Sequence, residues 1–117
     1  MSFRIRYAYW LVRFIEWSVR MIEFEWDPEK AKGNRRKHGV AFAEAATVFR
    51  DPLSITVFDP DHSRSEDRYL TVGMTERGRA VVVAHTDRGQ RTRIISAREL
   101  TRAERDDYAK EIQRRAE

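Results

Sequence analysis

The chain has 117 residues, no cysteine and a formal charge of +4. That length suits one domain with a modest core, and the lack of cysteine excludes disulfides and thiolate metal sites and suits a reducing cytoplasm. No apolar run approaches the roughly 18 residues of a membrane span.

The positive charge points to a polyanionic partner only if it is local. Of 23 basic and 19 acidic residues, four and one lie in residues 1–20, which leaves 19 against 18 from Met21 onward. A cationic patch binds phosphates even on a nearly neutral domain, so patches carry the argument.

The opening MSFRIRYAYWLVRFIEWSVR is aromatic-rich and ambiguous. Phe3, Ile5, Tyr7, Tyr9 and Leu11 alternate as in a strand, whereas Tyr7, Trp10, Leu11, Phe14 and Ser18 share a helical stripe. Arg13 interrupts the apolar run and no small-x-small site follows, which argues against a secretory signal; a basic interfacial helix is the other membrane-related reading. Met21 opens a self-contained stretch, so residues 1–20 are expected to be a dispensable extension before a domain spanning 21–117.

Ile22, Phe24 and Trp26 alternate with Glu23 and Glu25 as a half-buried strand. Asp27-Pro28 then starts a helix, since the aspartate can accept from the open N–H groups of the first turn and proline suits a position that needs no donor. The helix is expected to stop at Gly39. It carries Lys30, Lys32, Arg35, Arg36 and Lys37 with no acid among them, followed by His38. Phe42, Ala45, Ala46 and Phe49 predict a second helix over 40–49.

Strands are predicted at Leu53–Phe58, Arg68–Met74, the apolar run Ala80–Ala84 and Gln90–Ala97, separated by short turns. The run at 80–84 is the candidate central strand. Thr101-x-x-Glu104 is a capping box opening a last helix with an inner stripe at Leu100, Ala103 or Glu104, Tyr108 and Ile112. Short turns require antiparallel pairing, so the expected class is α+β, an antiparallel, mostly meander sheet with helices packed on one face.

His38, His62 and His85 have no metal-ligand spacing, and no phosphate-binding glycine loop is present. Arginine is more informative. Arg91 and Arg93 share a strand face, Arg98 follows where that strand ends, and Arg68 begins another strand, so these guanidinium groups can converge on one side of the sheet. A planar guanidinium holds two phosphate oxygens and stays charged; the plainer alternative is a set of solvated surface charges. His38 is a candidate proton acceptor or merely a donor to the last helical carbonyls. Glu104 reads as a reciprocal cap, Tyr108 as a core-edge aromatic and Ser96 as a partner for phosphate or backbone.

The segments FEWDPEKAKGNRRKHGVAF, VFRDP, HSRSEDR and IISAREL followed by ERDDY, in this order, resemble the BrnT family of toxins from bacterial type II toxin-antitoxin systems. The resemblance covers about Ile22 to Tyr108. It implies a small RelE-like ribonuclease fold, metal-independent RNA cleavage that halts translation without a cofactor, and a BrnA-like antitoxin that blocks the toxin and supplies DNA binding. Lys37, His38, Arg68, Ser96, Arg98, Glu104 and Tyr108 belong to the family pattern.

RNA cleavage without a metal uses the 2′-hydroxyl as nucleophile and needs a base, cations around the phosphorane and a proton for the leaving 5′-oxygen. The expected catalytic set is His38 as base or acid, Arg68 and Arg98 as clamps, and Glu66 as an alternative base. Lys37, Arg91, Arg93, Ser96 and Tyr108 are expected to bind RNA. The competing reading is a non-catalytic nucleic-acid-binding module using the basic helix 28–38.

Overall fold

The computed structural model describes residues 22–116. The expected extension at 1–20 lies outside the described residues. Five strands, β1 (Glu23–Glu25), β2 (Ile55–Phe58), β3 (Arg68–Met74), β4 (Ala80–Arg88) and β5 (Arg91–Glu99), form one sheet in the order β1-β5-β4-β3-β2. The helices are α1 (Pro28–His38), α2 (Phe42–Ala46) and α3 (Arg102–Ala116).

The local signals act as their chemistry requires. The Asp27 carboxylate accepts from the Glu29 N–H at 2.9 Å. At the other end of α1, Gly39 takes the left-handed conformation at φ 70°, and its N–H donates to the Arg35 carbonyl. The second helix is shorter than expected, because Phe42–Ala46 tightens into a 3-10 turn over Thr47–Arg50. The Thr47 hydroxyl donates to the Glu44 carbonyl at 2.6 Å, a local bond that competes with continued α-helix.

The antiparallel expectation needs correction. β2 to β5 form an antiparallel meander, but β1 pairs with β5 in parallel, Glu23 opposite Arg91 and Glu25 opposite Arg93, so the sheet is mixed. The long connection through α1 and α2 leaves β1 free to run beside the last strand, as a tight turn could not.

The helices also flank both faces. Val40, Phe42, Ala45 and Val48 pack on Val81, Val83, Ile94 and Ala97 to form the core. α3 leans over the opposite face, where Tyr108 lines a groove with Val72 and Val82. β4 is central, as expected, with Val81, Val82 and Val83 all buried.

One irregularity governs which residues share a face. Ala84 is opposite Ser96 while His85 is opposite Ile94, so Ile95 is an extra residue and β5 bulges there. Ile94 and Ala97 therefore both enter the core although they are three apart.

The open edge of β5 beyond β1 is completed by Asn34 of α1. Its amide donates to the carbonyls of Ala97 and Val40 at 2.8 and 3.0 Å and accepts from the Ala97 N–H at 3.1 Å. A second buried connection holds α2 to the β3–β4 turn. Arg79 grips Glu44 through two hydrogen bonds, Thr75 donates to the same carboxylate, and chiefly the Arg79 bond holds the Glu44 carboxyl below its usual range.

Candidate functional site

Strand alternation and the bulge set the site. Arg68, Thr86 and Arg93 are register partners across β3, β4 and β5, so they share the sheet face opposite α1 and α2. At about 4.8 Å per strand, the Arg68 and Arg93 backbones lie about 10 Å apart. Arg88 and Arg91 oppose each other two residues further along, on the same face. In an unbroken strand Ser96 and Arg98 would point away from Arg91 and Arg93; the extra residue Ile95 restores all four to one face.

Carboxylates partner this row. Glu66 lies 3.7 Å from Arg68 and 3.5 Å from Arg88, Arg93 is 3.7 Å from Glu25, and Arg91 is 3.1 Å from Glu23. The Arg68 Nε is buried and lacks a hydrogen-bond partner among the described residues. The Arg68 backbone N–H is held by the Ser63 hydroxyl at 2.9 Å, which anchors the 59–68 loop beside it.

Other expected residues are placed elsewhere. His38 ends α1, on the helical side of the sheet, and makes no hydrogen bond or ion pair among the described residues; it is not brought to Arg68, Arg98 or Glu66. Lys30, Lys32, Arg35, Arg36 and Lys37 are all exposed on α1, with Lys32 3.8 Å from Glu29. The described residues therefore carry two separate cationic surfaces.

Arg98 is occupied. Its two terminal nitrogens donate to the two oxygens of Glu104 at 2.8 and 3.0 Å. Glu104 also accepts from the Thr101 N–H and donates its own N–H to the Thr101 hydroxyl, the expected capping box. Arg98 first, then the Thr101 backbone, bring the Glu104 carboxyl down to about 2.

Tyr108 lies over the groove, its hydroxyl within 3.5 Å of the Leu53 carbonyl. Burial first, then Asp51, raises its pKa. The groove, of about 300 Å³, is floored by Ile55, Val57, Leu70, Val72 and Val82 and sits at the apolar end of the same face. Ser96, in register with Ala84 and Leu70, stands between the apolar and arginine ends.

Two groups escaped the sequence reading. His62 accepts or donates at Nδ1 with the Asp59 carboxylate at 2.9 Å, an i, i+3 contact legible only as the D-x-x-H spacing of DPDH. His85 is buried, with Nε2 2.7 Å from the Thr71 hydroxyl, which itself bonds Thr56 at 2.7 Å. No group of three His, Cys, Asp or Glu residues among the described residues is arranged to hold a metal ion.

A family model described as "Ribonuclease toxin, BrnT, of type II toxin-antitoxin system" matches residues 26–104, a span that contains the whole arginine row. Among solved structures the chain is similar to the crystal structure of the Brucella abortus ribonuclease toxin, BrnT, with a TM-score of 0.53 and 21% identity over 69% of this chain and 99% of that one. At that identity the likeness is one of fold. No curated protein matches the chain.

Proposed function

Since this chain belongs to the BrnT family of ribonuclease toxins of type II toxin-antitoxin systems, we propose that its domain, residues 21–117, has a RelE-like fold and cleaves RNA without a metal on the arginine-lined sheet face. Cleavage halts translation, and a cognate BrnA-like antitoxin neutralises it. The observation that carries this reading is the cross-strand row of Arg68, Thr86 and Arg93 with Glu66 beside it.

In this reading Arg68 clamps the reacting phosphate, while Arg88, Arg91 and Arg93 hold its neighbours. An incoming phosphate takes over the guanidinium groups that Glu66 holds in the free protein. The released carboxylate accepts the 2′-hydroxyl proton, the 2′-oxygen bonds phosphorus, and the bond to the 5′-oxygen breaks. The products are a 2′,3′-cyclic phosphate and a 5′-hydroxyl. Glu66 replaces His38 as base because it shares the face of the clamp. Arg98 holds α3 through Glu104 and does not clamp, since its fork is already filled.

Cleavage of total RNA in EDTA, mapped by primer extension, tests the proposal. Arg68→Ala is expected to lose on the order of a hundredfold in rate, the usual cost of removing one transition-state donor, and Glu66→Gln to lose activity while retaining RNA binding. Folded variants that cleave at the wild-type rate would refute the assignment. The exposed cations of α1 favour one other reading, a non-catalytic binding module. That reading gives only a salt-sensitive gel shift and no cleavage.

A further inference from the structure

Cleavage through the 2′-hydroxyl needs a proton for the departing 5′-oxygen, and the arginine row does not supply it: the Thr86 hydroxyl already donates to the Asp67 carbonyl at 2.6 Å. Guanidinium groups are too basic to release one. The element nearest Arg68 on its β2 side does. The register of β2 with β3 continues past Phe58, with the Asp59 N–H donating to the Arg68 carbonyl at 2.9 Å. Alternation from Ile55 and Val57 then puts the Asp59 side chain on the face of Arg68.

Asp59 is largely enclosed, its side chain 15% exposed, whereas the His62 ring it holds is 68% exposed. The carboxylate engages Nδ1 at 2.9 Å, which leaves Nε2 without a partner among the described residues. The loop is fixed to the site, because the hydroxyl of Ser63, the residue after His62, accepts from the Arg68 N–H and donates to the Asp59 carbonyl at 2.5 Å. Glu66 contacts Arg68 and Arg88, on the β4 side of the clamp. Glu66 is thus tied to the β4 side of Arg68, and the turn that carries Asp59 and His62 is tied to its β2 side.

We infer that His62 is the general acid of the reaction and that Asp59 is its positioning residue. This rests on the proposed ribonuclease function. As Glu66 removes the 2′-hydroxyl proton and the 2′-oxygen bonds phosphorus, the phosphorus–O5′ bond breaks and the 5′-oxygen takes the proton of the imidazolium Nε2. The imidazole is left neutral, the carboxylate protonated, and exchange with water restores both. Asp59 acts through the ring, holding Nδ1 and leaving Nε2 free to face an RNA bound at the clamp.

The test uses the full chain and two RNA oligonucleotides spanning a site that the wild-type protein cleaves. One has the ordinary scissile phosphate; the other has sulfur in place of its 5′-bridging oxygen, a leaving group that needs no proton. On the ordinary RNA, His62→Ala is expected to lose about a hundredfold in single-turnover rate, within the usual contribution of a general acid, and Asp59→Asn to lose less. On the sulfur substrate both variants are expected to cleave within a few-fold of wild type, while Arg68→Ala stays slow on both.

Wild-type rates for His62→Ala on the ordinary RNA would overturn the assignment. A loss of equal size on both substrates would also overturn it, since a base or a structural role gives that pattern. A wild-type protein that cleaves no RNA would instead overturn the ribonuclease reading, and this inference with it. His62 is exposed, and thermal melting verifies that each variant is folded.

Discussion

At the scale of single residues, the proposed roles differ from those that composition suggested. His38 ends α1, whereas Arg98 lies on the arginine face with both terminal nitrogens on Glu104. His85 illustrates a third outcome, a histidine whose burial rather than its partners sets its behaviour. Burial pushes its pKa below the ordinary value, with nearby Asp87 opposing more weakly. The unfolded chain then binds a proton in a range where the folded chain does not. The contribution is fully present above about pH 6.5, the unfolded value, and is lost as pH falls below it. Thermal unfolding between pH 7 and pH 5 is expected to show a falling melting temperature, and His85→Gln, which keeps a donor for Thr71, is expected to flatten that slope. An unchanged slope in the variant would place the dependence elsewhere.

At the scale of elements, the sheet depends on a helix to finish it. β1 covers only the Arg91–Arg93 part of β5, and beyond it the Asn34 amide serves as a one-residue strand. Removing it leaves the Ala97 N–H and the carbonyls of Ala97 and Val40 short of partners in a buried place. Asn34→Ala is expected to cost about 2–4 kcal/mol, measured by urea unfolding, since buried groups left without partners cost more than the bond itself gains. Asn34→Asp is expected to cost at least as much, because a carboxylate donates to neither carbonyl. α3 is built differently. It has no buried residue and is held at its start by the Arg98–Glu104 pair and the capping box.

At the scale of the whole molecule, the two cationic surfaces make distinct predictions. If RNA lies on the sheet face, up to four arginines neutralise phosphates, and log affinity against log salt has a slope near about −3 for a single strand. Arg93→Ala is expected to reduce that slope by about 0.7, while Lys37→Ala on α1 leaves it unchanged. The reverse pattern, measured by fluorescence anisotropy across salt concentrations, would move RNA to the helix. The groove at the apolar end of the sheet face is lined by none of Arg68, Arg88, Arg91 and Arg93.

The order of elements, the start and end of α1, the capping box of α3 and the central place of the Val81–Val83 run were legible in the sequence. These depend on spacing within a few residues, where backbone chemistry and hydrophobic period act directly. The facing of Arg91 with Arg93 was legible for the same reason. Tertiary structure alone decided the rest. The parallel pairing of β1, the extra residue at Ile95 that turns Ser96 and Arg98 to the arginine face, the exile of His38 and the arrival of Asp59 beside Arg68 all depend on register between distant segments. One residue of slip in a strand reverses every side chain after it, and no local pattern in β5 announces where that slip occurs.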